Sequence, residues 1–163
     1  MKVIFLDIDG VLNTTATPRP NKDSRVIEQT LLARLKKLQQ DTGATVVLSS
    51  TWRHDREGLA SAKRFGIPFM DVLPDMRPRP RSEEIVAWLQ VHPNVQRFAV
   101  IDDDDDCLDA LPLFQPSAAV GLTDKLAKAA ADYLKEKTDK DMRRNAMVRT
   151  FEKAIAYLKG HNG

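Results

Sequence analysis

Two aspartates one residue apart, Asp7 and Asp9, close an apolar run near the start of the chain, and Gly10 follows them. In an extended strand the side chains at i and i+2 face the same way, so these carboxylates address one small volume. Gly10 lets the backbone turn sharply beyond them. One carboxylate of such a pair can act as a nucleophile and the other as a general acid and base. A second acidic set, Asp102 and Asp103, follows the apolar run 98–101 and opens a block of consecutive aspartates, 102–106. A hydroxyl set, Ser49, Ser50 and Thr51, follows the apolar run 45–48. Crowded carboxylates repel one another unless a cation neutralises them. Mg²⁺ suits the task, because it binds through one or two carboxylates and keeps several waters. The plainer reading of the aspartate block is a solvated loop.

These groups meet only if the runs before them lie side by side and point the same way. Apolar runs of strand length occur at 3–6, 45–48, 67–70, 98–101 and 118–120. They are nearly all apolar, as in strands buried on both faces of a parallel sheet. Helical spacing occupies 24–40, 55–65, 82–90, 122–135 and 141–159. The alternation predicts an α/β fold, a three-layer Rossmann-like sandwich around a five-stranded, mostly parallel sheet. In such sheets the site lies at the carboxyl ends of the strands, near a switch in strand order.

Composition narrows the class. The chain has 163 residues, 42% hydrophobic and 29% charged, enough for one domain with a real core. No apolar run reaches the ~20 residues of a membrane span, so no membrane partner is expected. The first ten residues lack a signal-peptide core. Cys107 is the only cysteine, which excludes an internal disulfide and favours a cytoplasmic setting. The net charge of +2 is uninformative, but 76–81 and 140–159 are locally basic. We expect a catalytic domain over 1–138, with 139–163 a basic helix packed on it.

The stretch "FLDIDGVLN" resembles the first motif of the haloacid dehalogenase (HAD) superfamily of phosphohydrolases. "VVLSSTWR" resembles its second motif and "FAVIDDDDD" its fourth, and the resemblance runs from about residue 2 to 134. It implies Mg²⁺-dependent phosphomonoester hydrolysis through an aspartyl-phosphate. Asp7 would attack phosphorus, and Asp9 would protonate the leaving oxygen and then activate water. Ser49 would bind a phosphoryl oxygen. Asp103 would hold Mg²⁺ with Asp7 and the backbone carbonyl of Asp9, supported by Asp102. The presence of Asp9 favours a phosphatase over a dehalogenase.

The third motif departs from the pattern. The family's lysine has no counterpart between Lys63 and Lys125, and Arg77, Arg79 and Arg81 stand in that region. A Lys-Pro-like reading points to Arg79; an Arg-Gly-x-Glu-Ile-like reading points to Arg81. Arginine keeps the charge and can grip phosphate by two bonds.

The gaps where the family inserts a cap are short, so no large cap domain is expected and the cleft should be open. "SSTWR" resembles the HAD domains of RNA-repair proteins, akin to the phosphatase half of polynucleotide kinase-phosphatases. On that resemblance Gly10, Ser50, Trp52 and Arg53 are substrate-binding candidates. Arg53 would clamp a second phosphate, and Trp52 would offer a stacking face to a base. The loop 14–23 would cover the cleft with Arg19 and Lys22. The expected partner is a phosphorylated substrate, such as a DNA or RNA end. The alternatives are a small phosphorylated metabolite under an oligomer-built lid, or a non-catalytic phosphate-binding protein. The oligomeric state is left open.

Overall fold

The computed structural model describes residues 1–21 and 24–136. Five strands form one parallel sheet: β1 (Lys2–Leu6), β2 (Thr45–Leu48), β3 (Phe69–Val72), β4 (Arg97–Ile101) and β5 (Leu113–Phe114). Their order is β3-β2-β1-β4-β5. The chain therefore builds outward from β1 through β2 to β3, then returns to add β4 on β1's other side. That reversal is a topological switch point beside β1, where α/β sheets place their ligands.

The central strands read as apolar because both faces are covered. Val3, Ile4, Phe5 and Leu6 are all fully buried, each worth about 1.5–3 kcal/mol of apolar burial. Alternate residues feed two cores. Ile4, Leu6, Val46 and Leu48 pack with Leu31 and Leu35 of α1 (Gln29–Thr42) and Ala130 and Leu134 of α4 (Asp124–Lys135). Ala62 of α2 (Arg56–Arg64) joins them. Val3, Phe5, Val47 and Val100 pack with Ile85, Trp88 and Leu89 of α3 (Arg81–Gln90) on the opposite face. Three layers result, and no separate cap domain occurs among the described residues.

Several expected boundaries move. The fifth strand is not at 118–120, which is a turn closed by Val120 and Gly121 N–H groups on the Ser117 carbonyl. The ladder partner of Val100 and Ile101 is instead Leu113–Phe114, with Phe114 packed against Tyr133. β3 starts two residues later than expected, because Ile67 N–H closes the end of α2 on the Ala62 carbonyl. The first helix begins at Gln29 rather than at 24. Residues 24–28 stay extended, with Glu28 N–H on the Leu12 carbonyl and the Val26 carbonyl taking an amide proton from Asn13. That helix ends at Gly43, whose φ of 65° is left-handed. α3 starts at Arg81 with no side-chain cap from Pro80. α4 is capped by Thr123, whose hydroxyl accepts from Leu126 N–H. The expected basic helix at 139–163 lies outside the described residues.

No described helix is long and apolar enough to cross a membrane.

Candidate active site

β1, β2 and β4 are in register, so their carboxyl ends are level. Leu6 pairs with Leu48 on one side and Ile101 on the other. The next residues, Asp7, Ser49 and Asp102, therefore leave the sheet abreast. Asp7 N–H binds the Ile101 carbonyl, and Ser49 N–H binds the Leu6 carbonyl, at 2.9 and 2.8 Å. Beyond this edge opens a cleft of about 350 Å³. Asp7, Asp9, Thr51, Arg81, Asp102 and Asp103 are on its wall.

Asp7, Asp102 and Asp103 each offer a carboxylate oxygen, and these lie within 4.8 Å of one another. Asp7 and Asp102 are buried, and Asp103 is partly so. Burial, then the Asp102 charge, pushes the Asp7 carboxyl up to about 8 against the opposing pull of Arg81. Burial also raises Asp102 and Asp103. Three hard oxygen donors crowded this way match what a divalent cation such as Mg²⁺ requires, so the residues fit the group. The Asp9 carboxylate is not in this cluster.

Asp9 is held apart. Its Oδ1 accepts from Asn13 Nδ2 at 2.7 Å, and its Oδ2 accepts from Trp52 Nε1 at 2.8 Å. Arg19 lies 3.7 Å from Oδ1. The carboxylate remains about half exposed, at 47%, so it keeps access to solvent protons.

Of the three arginines of the third-motif region, Arg81 is the one that lies against the strand-end acids. Its Nη1 donates to Asp7 Oδ1 at 3.2 Å and also to Asp102. Burial acts to lower its basicity, but Asp7 and Asp102 outweigh that and raise it. The position is fixed by the aspartate block itself. The Asp106 carboxylate accepts the Arg81 backbone N–H at 3.0 Å, capping α3 from another loop. Asp104 N–H in turn binds Asp102 Oδ1 at 3.1 Å. The block is thus built into the site and is not merely a solvated loop.

Arg79 does not share this place. It is exposed, pairs with Glu83 at 3.2 Å, and borders a separate surface hollow. Arg79 lies before the helix and Arg81 opens it, and the two arginines end in different surroundings.

Three other expectations need correction. Trp52 is buried at the start of a short 3-10 turn, Thr51–His54, with its N–H spent on Asp9. It is a positioning residue for Asp9 and offers no open stacking face to the cleft. Arg53 is buried too. It donates to the Ser49 and Ser50 carbonyls and pairs with Glu84 of α3, whose other oxygen accepts Met76 N–H. A guanidinium so enclosed has no reach to a second phosphate. Ser50 caps the 3-10 turn through Trp52 N–H and is fully buried.

Ser49 is buried beside Asp7, and its hydroxyl has no hydrogen-bond partner among the described residues. Gly10 serves space rather than grip. Its φ is +75°, and a Cβ there would lie 2.2 Å from Asp103 Oδ2. His54 lies 3.2 Å from Asp75 and is not on the cleft wall; burial, then Arg53, lowers its basicity.

Sequence reasoning placed Thr51 in the hydroxyl set without a role of its own, and missed Asn13. Thr51 is the exposed hydroxyl of its set and reaches the cleft where Ser49 and Ser50 do not. Asn13 bridges the turn, accepting Gly10 N–H while donating to Asp9. Its place four residues after an aspartate and three after a glycine is the signal that could have found it.

Comparison with known proteins agrees with this geometry. No curated protein and no solved structure gives a significant match. The profile of one family, described as the HAD domain in Swiss Army Knife RNA repair proteins, matches residues 3–127. That span takes in the sheet from Val3 onward and every cleft residue named above, and a HAD domain implies phosphatase-type hydrolase activity. With its strand-end aspartates and level sheet edge, the chain belongs to the family of HAD domains found in Swiss Army Knife RNA repair proteins.

Proposed function

We propose that this protein is a Mg²⁺-dependent phosphomonoesterase that works through an aspartyl-phosphate on phosphorylated nucleic-acid ends. The observation that carries the reading is the division of labour between the two aspartates. Asp7 lies in the buried acid cluster against Arg81, while Asp9 is turned away onto Asn13 and Trp52 and left open to water.

Asp7 is the nucleophile. Its carboxylate oxygen attacks phosphorus as the bond to the leaving oxygen breaks, and that oxygen takes the proton of Asp9. Asp9 then removes a proton from water, which attacks the acyl phosphate, releases phosphate and regenerates Asp7. Trp52 and Asn13 hold Asp9 in place for both transfers. Arg81 draws off negative charge as it builds on the phosphoryl oxygens. The exposed Thr51 hydroxyl, on the cleft wall, is suited to donate to one of those oxygens. Asp7, Asp102 and Asp103 would hold Mg²⁺, which when bound lowers the repulsion between carboxylate and phosphate.

Two observations support a polymer end. Among the described residues no cap domain covers the cleft, and the family is named for RNA repair. The test is phosphate release, with Mg²⁺ and with chelator, from an aryl phosphate, mononucleotides, and 3′- and 5′-phosphorylated DNA and RNA oligomers. Metal-dependent release that prefers one oligomer end, and is abolished in Asp7→Asn, is the expected result. Release from mononucleotides or the aryl phosphate alone would discard the nucleic-acid substrate. Full activity in Asp7→Asn would discard the mechanism.

A further inference from the structure

The cleft does not stop at Asp9. A second groove, about 390 Å³, continues from it and shares Asp9, Arg19 and Thr51 with the first. Its far end is formed by Arg25, Trp52 and Asp55. We propose that this groove is a second anion subsite, in which Arg25 and Arg19 take an internal phosphodiester of a single nucleic-acid strand whose end lies at Asp7. The inference rests on the reading above and deepens it: the substrate is a strand, not a mononucleotide.

The acids in the groove are already engaged. Asp55 accepts Gly58 N–H on Oδ1 and Arg25 on Oδ2, at 2.7 and 2.6 Å. Asp9 accepts from Asn13 and Trp52. The arginines are not used up. A guanidinium carries five N–H donors. Among the described residues Arg19 donates one bond, to the Ser24 carbonyl at 3.1 Å, and lies 3.7 Å from Asp9 Oδ1, while Arg25 donates one bond, to Asp55. Their side chains are 34% and 29% exposed, and both line the groove.

The same contacts preorganise the pair. The Asp55 carboxylate anchors one edge of the Arg25 guanidinium, whose carbon stands 5.9 Å from the centre of the Trp52 ring. Arg19 spans the junction of the two grooves. Two fixed guanidinia beside an open channel, with their acidic neighbours satisfied, match an extended chain of phosphates. Arg53, enclosed with Glu84, cannot serve this purpose, and Arg25 stands on the open side of the same segment.

The subsite is tested by binding, independently of turnover. The probe is a fluorescein-labelled hexanucleotide with hydroxyl ends, in a DNA and an RNA form, read by anisotropy over a salt series. Arg25→Ala is expected to weaken binding about tenfold and to reduce the salt slope by about one. Equal loss on both strands marks phosphate recognition, whereas a loss confined to RNA marks a subsite that also reads the 2′-hydroxyl. Undetectable binding by the wild type, or an Arg25→Ala variant with the wild-type affinity and slope, overturns the proposal. Because hydroxyl-ended strands cannot be hydrolysed, failure of the phosphatase reading leaves this result standing on its own.

Discussion

Arg81 crosses 74 positions of sequence to place its guanidinium 3.2 Å from the Asp7 carboxylate. The same nitrogen donates to Asp102, so one cation serves two strand ends that flank the sheet's switch point. Arg81→Ala is expected to lower kcat by about 10²–10³, the scale for losing one preorganised donor to a developing charge. Arg81→Lys should recover part of this, while Arg79→Ala should remain within a factor of two. Steady-state kinetics on the best substrate of the panel checks all three, and a larger loss at Arg79 than at Arg81 would reverse the assignment.

Asp7 also predicts a pH dependence of stability. Folded, it keeps its proton up to about 8, against an ordinary value of 3.8. Between those limits the folded chain binds more protons than the unfolded one, so this group makes stability fall as pH rises. In chelator, Asp7→Asn should melt above the wild type at pH 8, with the gap closing by pH 4. Thermal melts across that range, repeated with Mg²⁺, provide the check; Mg²⁺ should raise the wild type more than the variant.

Trp52 is expected to affect catalysis through Asp9. Trp52→Phe keeps most of the packing and removes the 2.8 Å bond to the carboxylate. A hydrogen bond to a charged group is worth about 1.5–3 kcal/mol, so kcat should fall about tenfold with KM little changed. A rise in KM with kcat intact would instead make Trp52 a substrate contact.

The Arg53–Glu84 pair should matter more for folding than for binding. Both side chains are 3% exposed. Removing one partner strands a buried charge, at a cost of about 3–5 kcal/mol. Glu84→Ala is expected to lose that much in denaturant titration. A double change to apolar residues of similar volume should recover most of it.

The strand-end acids were legible because each follows an apolar run long enough to cross the sheet. Once the runs are aligned, Asp7, Asp102 and Asp103 have nowhere else to go. The arginine was not legible to a single residue. Arg79 and Arg81 differ by one proline, and only the start of α3 decides which faces the cleft. Trp52 and Arg53 misled because the resemblance of "SSTWR" to RNA-repair domains cast both as substrate contacts. Arg53 is buried by a partner 31 positions away, which no local pattern reveals. The fifth strand misled for a related reason. A two-residue edge strand carries less periodic signal than the apolar turn at 118–120 that follows it.

The aspartate block behaves as a gauge. Asp102 grips the Arg81 side chain at one end, and Asp106 grips its backbone at the other. Only the number of residues between them lets both grips close on one amino acid, while Asp103 faces the acid cluster from the middle. Charge is therefore the less demanding property of this run. Deleting one internal aspartate would leave it strongly acidic and still part the two holds, letting α3 and its arginine drift from the sheet edge. Length along this segment, more than acidity, sets where the positive charge meets Asp7.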